Sequence, residues 1–137
     1  MLNFKISRES AEAELKRFLD YYEIDGGDFN EEQLKAHEQS KERIIKAIRL
    51  GRLEVGEDGF TLIQTLRDPV GESSTITYGE LRGKAKVSMK SKSDTDYYGR
   101  CYAVLGALSG LGDTAIINLR GVDLSLAECI GSIFLQV

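Results

Sequence analysis

Residues 52–66, RLEVGEDGFTLIQTL, mark the point where the hydrophobic period of the chain changes from 3.6 to 2. Arg52-Leu-Glu-Val55 alternates, Gly56-Glu-Asp-Gly59 has the residues of a hairpin turn, and Phe60-Thr-Leu-Ile-Gln-Thr-Leu66 resumes with β-branched side chains. A period of 2 puts every second side chain on one face of a sheet, so the stretch reads as two antiparallel strands. Asp68-Pro69 is expected to stop the second strand, because proline has no ladder donor to give. After the polar Gly71–Thr75, Ile76-Thr-Tyr78 reads as a third short strand.

Helical patterns lie on both sides of this sheet. Upstream, Ser7 is an N-cap candidate with Glu9 in the first turn, and Ala11, Leu15, Phe18, Leu19 and Tyr22 form a helical stripe. Asp25-Gly-Gly-Asp28 breaks it. Asn30 and Gln33 then have the spacing of a capping box, and Phe29 with Leu34 that of a hydrophobic staple. Leu34, Lys41, Ile45 and Ile48 mark the inner face of this second helix, Ile44 widens it, and Gly51 follows its end. Residues 7–50 are thus expected to form an antiparallel αα-hairpin whose outer face is solvated charge.

Downstream, residues 79–93 have no decisive period. Ser93 or Asp94 is expected to cap a helix over about 95–109 carrying Tyr98, Cys101, Tyr102, Leu105 and Leu108, with Gly110 ending it. A short turn is expected over Thr114–Asn118. Ser125 and Glu128 have capping-box spacing for a last helix to about Leu135, with Leu126, Cys129, Ile130, Ile133 and Phe134 on its apolar face. The fold class is therefore α+β: an N-terminal αα-hairpin, a small antiparallel sheet over about 52–78, and C-terminal helices over 94–136 packed on it. No repeat or linker divides the chain, so residues 1–137 are expected to be a single domain.

Charge is distributed unevenly. Lys and Arg number 18 and Asp and Glu 22, for a net charge of −4, which is not the basic balance of a general nucleic-acid binder. Only four charged side chains, Asp113, Arg120, Asp123 and Glu128, stand in residues 101–137, so that apolar tail must be covered by the fold or by a partner. Its charge-free run, Cys101–Gly112, is shorter than the about 20 residues of a membrane span, and no apolar segment flanked by bases opens the chain as in a signal peptide. Cys101 and Cys129 lack a CxxC partner and read as buried reduced thiols, which suits a reducing, cytoplasmic compartment.

Catalytic patterns are sparse. His37 is the sole imidazole and is expected to be a surface or half-buried structural residue. There is no nucleophile elbow, no dinucleotide fingerprint and no Walker lysine. The glycines of Gly106-Ala-Leu-Ser-Gly110-Leu-Gly112 fall at a helix end, whereas anions are held at helix starts. Asp25, Asp28, Glu57 and Asp58 are turn formers. No enzyme, metal or cofactor is expected. The charge cluster that stands out is Arg82, Lys84, Lys86, Lys90 and Lys92, with no acid among them. No aromatic residue interleaves those bases, so a solvated loop or a lysine-protected edge strand is expected rather than a nucleic-acid surface.

The C-terminal half resembles the small tail assembly chaperones of long-tailed bacteriophages and prophages. The resemblance runs through Leu66-Arg-Asp-Pro69, a helix ending Leu105-Gly-Ala-Leu-Ser-Gly-Leu111, the step Leu119-Arg-Gly-Val-Asp123, and a closing helix ending Ile133-Phe-Leu135. It covers about residues 60–136. The helical hairpin of residues 1–50 lies outside it, and only Glu80, after Gly79, can represent the acidic residue of the family's middle segment. The resemblance implies a non-enzymatic protein that coats the tape-measure protein, or binds another tail or tube protein, before the tail tube assembles. Such a protein needs an apolar surface with polar flanks. The candidates are Leu111, Ile116, Ile117, Leu124 and Leu126, flanked by Arg82, Lys84, Lys86, Lys90 and Lys92, although each of the five apolar residues serves equally well as core. Three other readings stay open: a structural subunit of a tail or head–tail connector forming homo-oligomers, a small regulatory protein using residues 82–92, and a cofactor-free enzyme.

Overall fold

A computed structural model describes residues 2–137. The described residues form six helices and one three-stranded antiparallel sheet, an α+β architecture. The Ser7 hydroxyl accepts from the Ser10 N–H at 3.1 Å and starts α1 (Arg8–Tyr21), which buries Ala11, Leu15, Phe18 and Leu19. The capping box of α2 (Glu31–Arg49) forms in full: the Asn30 side chain accepts from the Gln33 N–H at 2.8 Å, and the Gln33 side chain accepts from the Asn30 N–H at 3.0 Å.

The inner face of α2 differs from the periodic expectation near its start. Leu34 is exposed and His37 is buried. The loop explains it, since Phe29 folds back edge-on against the His37 ring at 5.1 Å and covers that position instead. Further along, Ile44, Ile45, Ala47 and Ile48 are buried as the stripe requires. Gly51, at φ +76°, turns the chain out of the helix into the sheet.

β1 (Leu53–Val55), β2 (Leu62–Val70) and β3 (Ser73–Tyr78) form a meander in the order β1-β2-β3. Glu54 pairs with Ile63 and Gln64 with Ile76, so Leu53, Val55, Leu62, Gln64, Leu66, Ile76 and Tyr78 share the buried face. Asp68-Pro69 does not end β2, which runs on to Val70. Pairing with β3 is irregular between Thr65 and Val70, so Pro69 sits where no regular ladder bond is required of it. The polar Ser73–Thr75 belongs to β3 for the same reason, because Val70 pairs with Ser73 across a two-residue turn.

The previously open segment 79–93 contains a short helix, α3 (Gly83–Val87), not an edge strand. Asp96, rather than Ser93 or Asp94, caps α4 (Tyr97–Ser109), its carboxylate accepting from the Gly99 N–H at 2.9 Å. This start leaves Tyr98 exposed while Cys101 and Leu105 face the core. Gly110, at φ +72°, ends the helix, and α5 (Asp113–Ile117) follows. The last helix, α6 (Gly121–Phe134), begins a full turn before the Ser125 capping box expected from spacing. Glu128 is engaged elsewhere: its carboxylate accepts from the Tyr102 hydroxyl at 2.7 Å.

α6 is the central element, flanked by α2 and α4 and resting on β2 at its start. It buries Leu126, Ala127, Cys129, Ile130, Ile133 and Phe134, and each large apolar side chain so covered contributes about 1.5–3 kcal/mol. Phe134 meets Phe18 and Tyr22 edge to face at 5.6 and 5.7 Å, which joins α6 to the first hairpin. The apolar tail is thus largely covered from within the chain.

Two glycines set how close the C-terminal helices come. A Cβ on Gly131 would run into the Cys101 thiol, and one on Gly106 would run into the backbone of Gly112 and Asp113. Backbone atoms cannot rotate away, so Gly106→Ala should lose about 2 kcal/mol net of its better helix propensity. Urea unfolding at neutral pH measures this, and a stabilised variant would refute the close α4–α5 approach.

Candidate functional site

The five apolar residues expected on a binding surface do not form one strip. Ile116 is fully buried and Leu126 nearly so, and both belong to the core, which corrects their assignment to a partner surface. Leu124 is half-buried against the same core. Leu111 (49 % exposed) and Ile117 (53 %) lie outside. Helical geometry explains the split: neighbours such as Ile116 and Ile117 point about 100° apart, so one reaches the core and the other solvent. Of the large apolar residues from the end of α4 to the first turn of α6, Leu111, Ile117 and Val122 remain exposed.

The basic stretch wraps α3 and the turn after it. Arg82, Lys84, Lys86 and Lys90 are exposed and Lys92 is half-buried. Two of them are engaged: Arg82 lies 3.4 Å from Glu80, and the Lys86 ammonium donates to the Val137 carbonyl at 2.9 Å. The carboxylate of Glu80 also accepts from the Tyr21 hydroxyl of α1, so the stretch is tied back to the helical hairpin. Exposed Val87, Tyr97 and Tyr98 flank the segment.

A buried polar network joins the start of α6 to the sheet. The Asp123 carboxylate accepts from the Arg67 N–H with one oxygen and the Asp68 N–H with the other, each at 2.9 Å. The Asp123 carbonyl accepts from the Gln64 side-chain amide at 2.9 Å, and the Gln64 oxygen accepts from the Tyr78 hydroxyl at 2.8 Å. Asp123, Gln64 and Tyr78 are all buried, and every member has a partner. Burial is the first cause raising the Tyr78 phenol, which therefore remains a donor. Asp123 acts here as the partner of β2 amides where the β1 strand has run out. It stands in the Leu119–Asp123 step of the sequence, and the isolated acid in an apolar segment was the available signal.

Burial holds the two core thiols protonated. Burial pushes the Cys101 thiol up to about 12, and the Cys129 thiol is also raised by burial, against opposing pulls from Arg43 and Ser40. Neither has thiolate character at neutral pH. His37 is buried, contrary to the expectation of a surface or half-exposed ring, and no hydrogen bond reaches its Nδ1. Burial and then Lys41 lower its pKa, while Glu38 and Gln136 oppose.

Sequence reasoning did not find the cleft between α2 and the first turns of α6. It is a space of about 360 Å³ lined by Arg43, Lys46 and Arg52 with Val122, Ser125 and Leu126. Arg43 and Lys46 stand one turn apart on α2 and Arg52 follows just after the helix, while α6 supplies the opposite wall that turns this run of bases into a cleft.

The chain has no significant match among protein-family models, curated proteins or solved structures. No helix is long and apolar enough to cross a membrane among the described residues.

Two outcomes follow from this geometry. Asp123→Ala strands two buried N–H groups and should cost about 3 kcal/mol or more in urea unfolding, with Asp123→Asn, which keeps one acceptor oxygen, falling between. For His37, the folded chain binds the proton less readily than the unfolded chain, so acid favours unfolding. Stability should be intact above about pH 6.5 and fall as pH drops below it. His37→Leu should show a flatter stability profile between pH 7 and 5 than the parent, and parallel profiles would assign the acid sensitivity to other groups.

Proposed function

We propose that the chain is a non-enzymatic protein of long-tailed phage or prophage tail assembly that holds another tail protein, such as the tape-measure protein. The observation that carries this reading is the exposure of Leu111, which ends the first of the two sequence steps of the resemblance, Leu105–Leu111, and of Ile117, two residues before the second, Leu119–Asp123. With Val122 they leave apolar area uncovered at a corner that α4, α5 and α6 hold rigid. A partner helix of apolar face would gain roughly 25 cal/mol for each Å² it covers there. The engaged states of Arg82 and Lys86 favour this reading over a nucleic-acid function for residues 82–92.

Co-expression with a tape-measure protein and co-purification, read by light scattering, tests it. Leu111→Ser with Ile117→Ser should abolish retention of the partner while costing no more than about 2 kcal/mol of folding stability, because about half of each residue is already in water. Rings or tubes that grow with concentration would favour a tail or connector subunit instead, and an inert monomer that retains no partner would refute the chaperone reading.

A further inference from the structure

The cleft between α2 and α6 has a composition that neither the core nor the α4–α5–α6 corner explains. Arg43 and Lys46 of α2 and Arg52 of the connection to β1 line it. None of the three lies within ion-pair distance of a carboxylate among the described residues, whereas Arg8, Lys16, Arg17, Lys41, Arg67, Arg82 and Arg120 each do. The one acid on the wall is Asp123, and both its oxygens are turned to the amides of Arg67 and Asp68. Three cations in one concavity repel each other, and the low-dielectric wall beneath them focuses their field. Lys46 also favours the C-terminal turn of α2, but that accounts for neither Arg43 nor Arg52.

We propose that this cleft binds a phosphomonoester. Two guanidinium groups and an ammonium match the near-dianionic charge and the acceptor oxygens of such a group. The Ser125 hydroxyl lies on the same wall and supplies a further donor. The first turn of α6 adds to the field, because Arg120 makes no side-chain cap there. The lining also includes Val122, Leu126, Ala47 and Leu50. These suit an ester carrying an apolar or aromatic substituent.

Calorimetric titration of the full chain with inorganic phosphate, phenyl phosphate and diethyl phosphate tests the assignment. Phenyl phosphate should bind 1:1 and saturably with a Kd on the order of 1 mM or tighter. Inorganic phosphate should bind severalfold more weakly because it leaves the apolar wall in water. Diethyl phosphate, with a single charge like a nucleic-acid linkage, should be weaker than phenyl phosphate. Arg43→Gln and Arg52→Gln should each weaken phenyl phosphate roughly tenfold, and Lys35→Gln, on the opposite half of α2, should leave it unchanged. Amide shifts at Val122 and Ser125 in the parent chain locate the site without any variant. Absence of saturation by about 10 mM, shifts confined to other surfaces, or equal loss with Lys35→Gln would overturn the proposal. Tighter binding of the diester would reassign the cleft to a nucleic-acid backbone and overturn it equally. The cleft shares Val122 with the partner-binding corner, but neither Leu111 nor Ile117 lines it, so the Arg43 and Arg52 variants test the cleft and the Leu111/Ile117 variant tests the partner-binding reading separately.

Discussion

The carboxylate of Asp123 is the interaction on which the C-terminal half depends. β1 is only three residues long, so β2 extends beyond it with amide groups that have no strand to pair with. A buried amide without an acceptor costs on the order of 1–3 kcal/mol. Asp123 supplies two acceptor oxygens at that point, and the same residue starts α6. Through its carbonyl it also orders Gln64 and, beyond it, Tyr78 of β3. One side chain therefore fixes where the central helix begins and which way it leaves the sheet. A buried charge held this way is well suited to specifying a unique arrangement, although an apolar replacement of equal shape could match it in stability.

Given that start, the path of α6 is set by what it can approach. Gly131 allows it to lie on Cys101 and Leu105 of α4, and Gly106 allows α4 to be crossed closely by the α5 connection. Phe134 then reaches the aromatic pair Phe18 and Tyr22 of the first hairpin. A polar anchor at one end and an aromatic cluster at the other hold the helix in register, with glycine contacts between.

Much of this was legible from residues close in sequence. Ser7, the Asn30–Gln33 box, Gly51 and Gly110 behave as caps and stops, because those interactions involve atoms only a few residues apart. The strand hairpin of residues 52–66 was legible for the same reason. Misreadings occurred where a distant partner decides. Pro69 lies within a strand because pairing with β3 is irregular there, Glu128 serves Tyr102 and not a cap, and Leu34 yields its buried place to His37 because Phe29 folds back over it. Of the candidate surface, Leu111 and Ile117 were placed outside and Ile116 and Leu126 inside by helix phase relative to elements that periodicity alone does not locate. The bases Arg43, Lys46 and Arg52 lie close in sequence, but the concavity they line was not legible, because its far wall is the distant first turns of α6.

The position of α6 also bears on how the chain is made. The helix packs against α2, α4 and β2, and it follows every other described element in the chain, so it is synthesised after them. Until it leaves the ribosome, Phe18 lacks its contact with Phe134, and the Arg67 and Asp68 amides of β2 lack their acceptor. Domains generally fold as units during synthesis, so this one is committed to waiting. The first hundred residues, which hold nearly all of the charge, are a segment that can wait in water without aggregating.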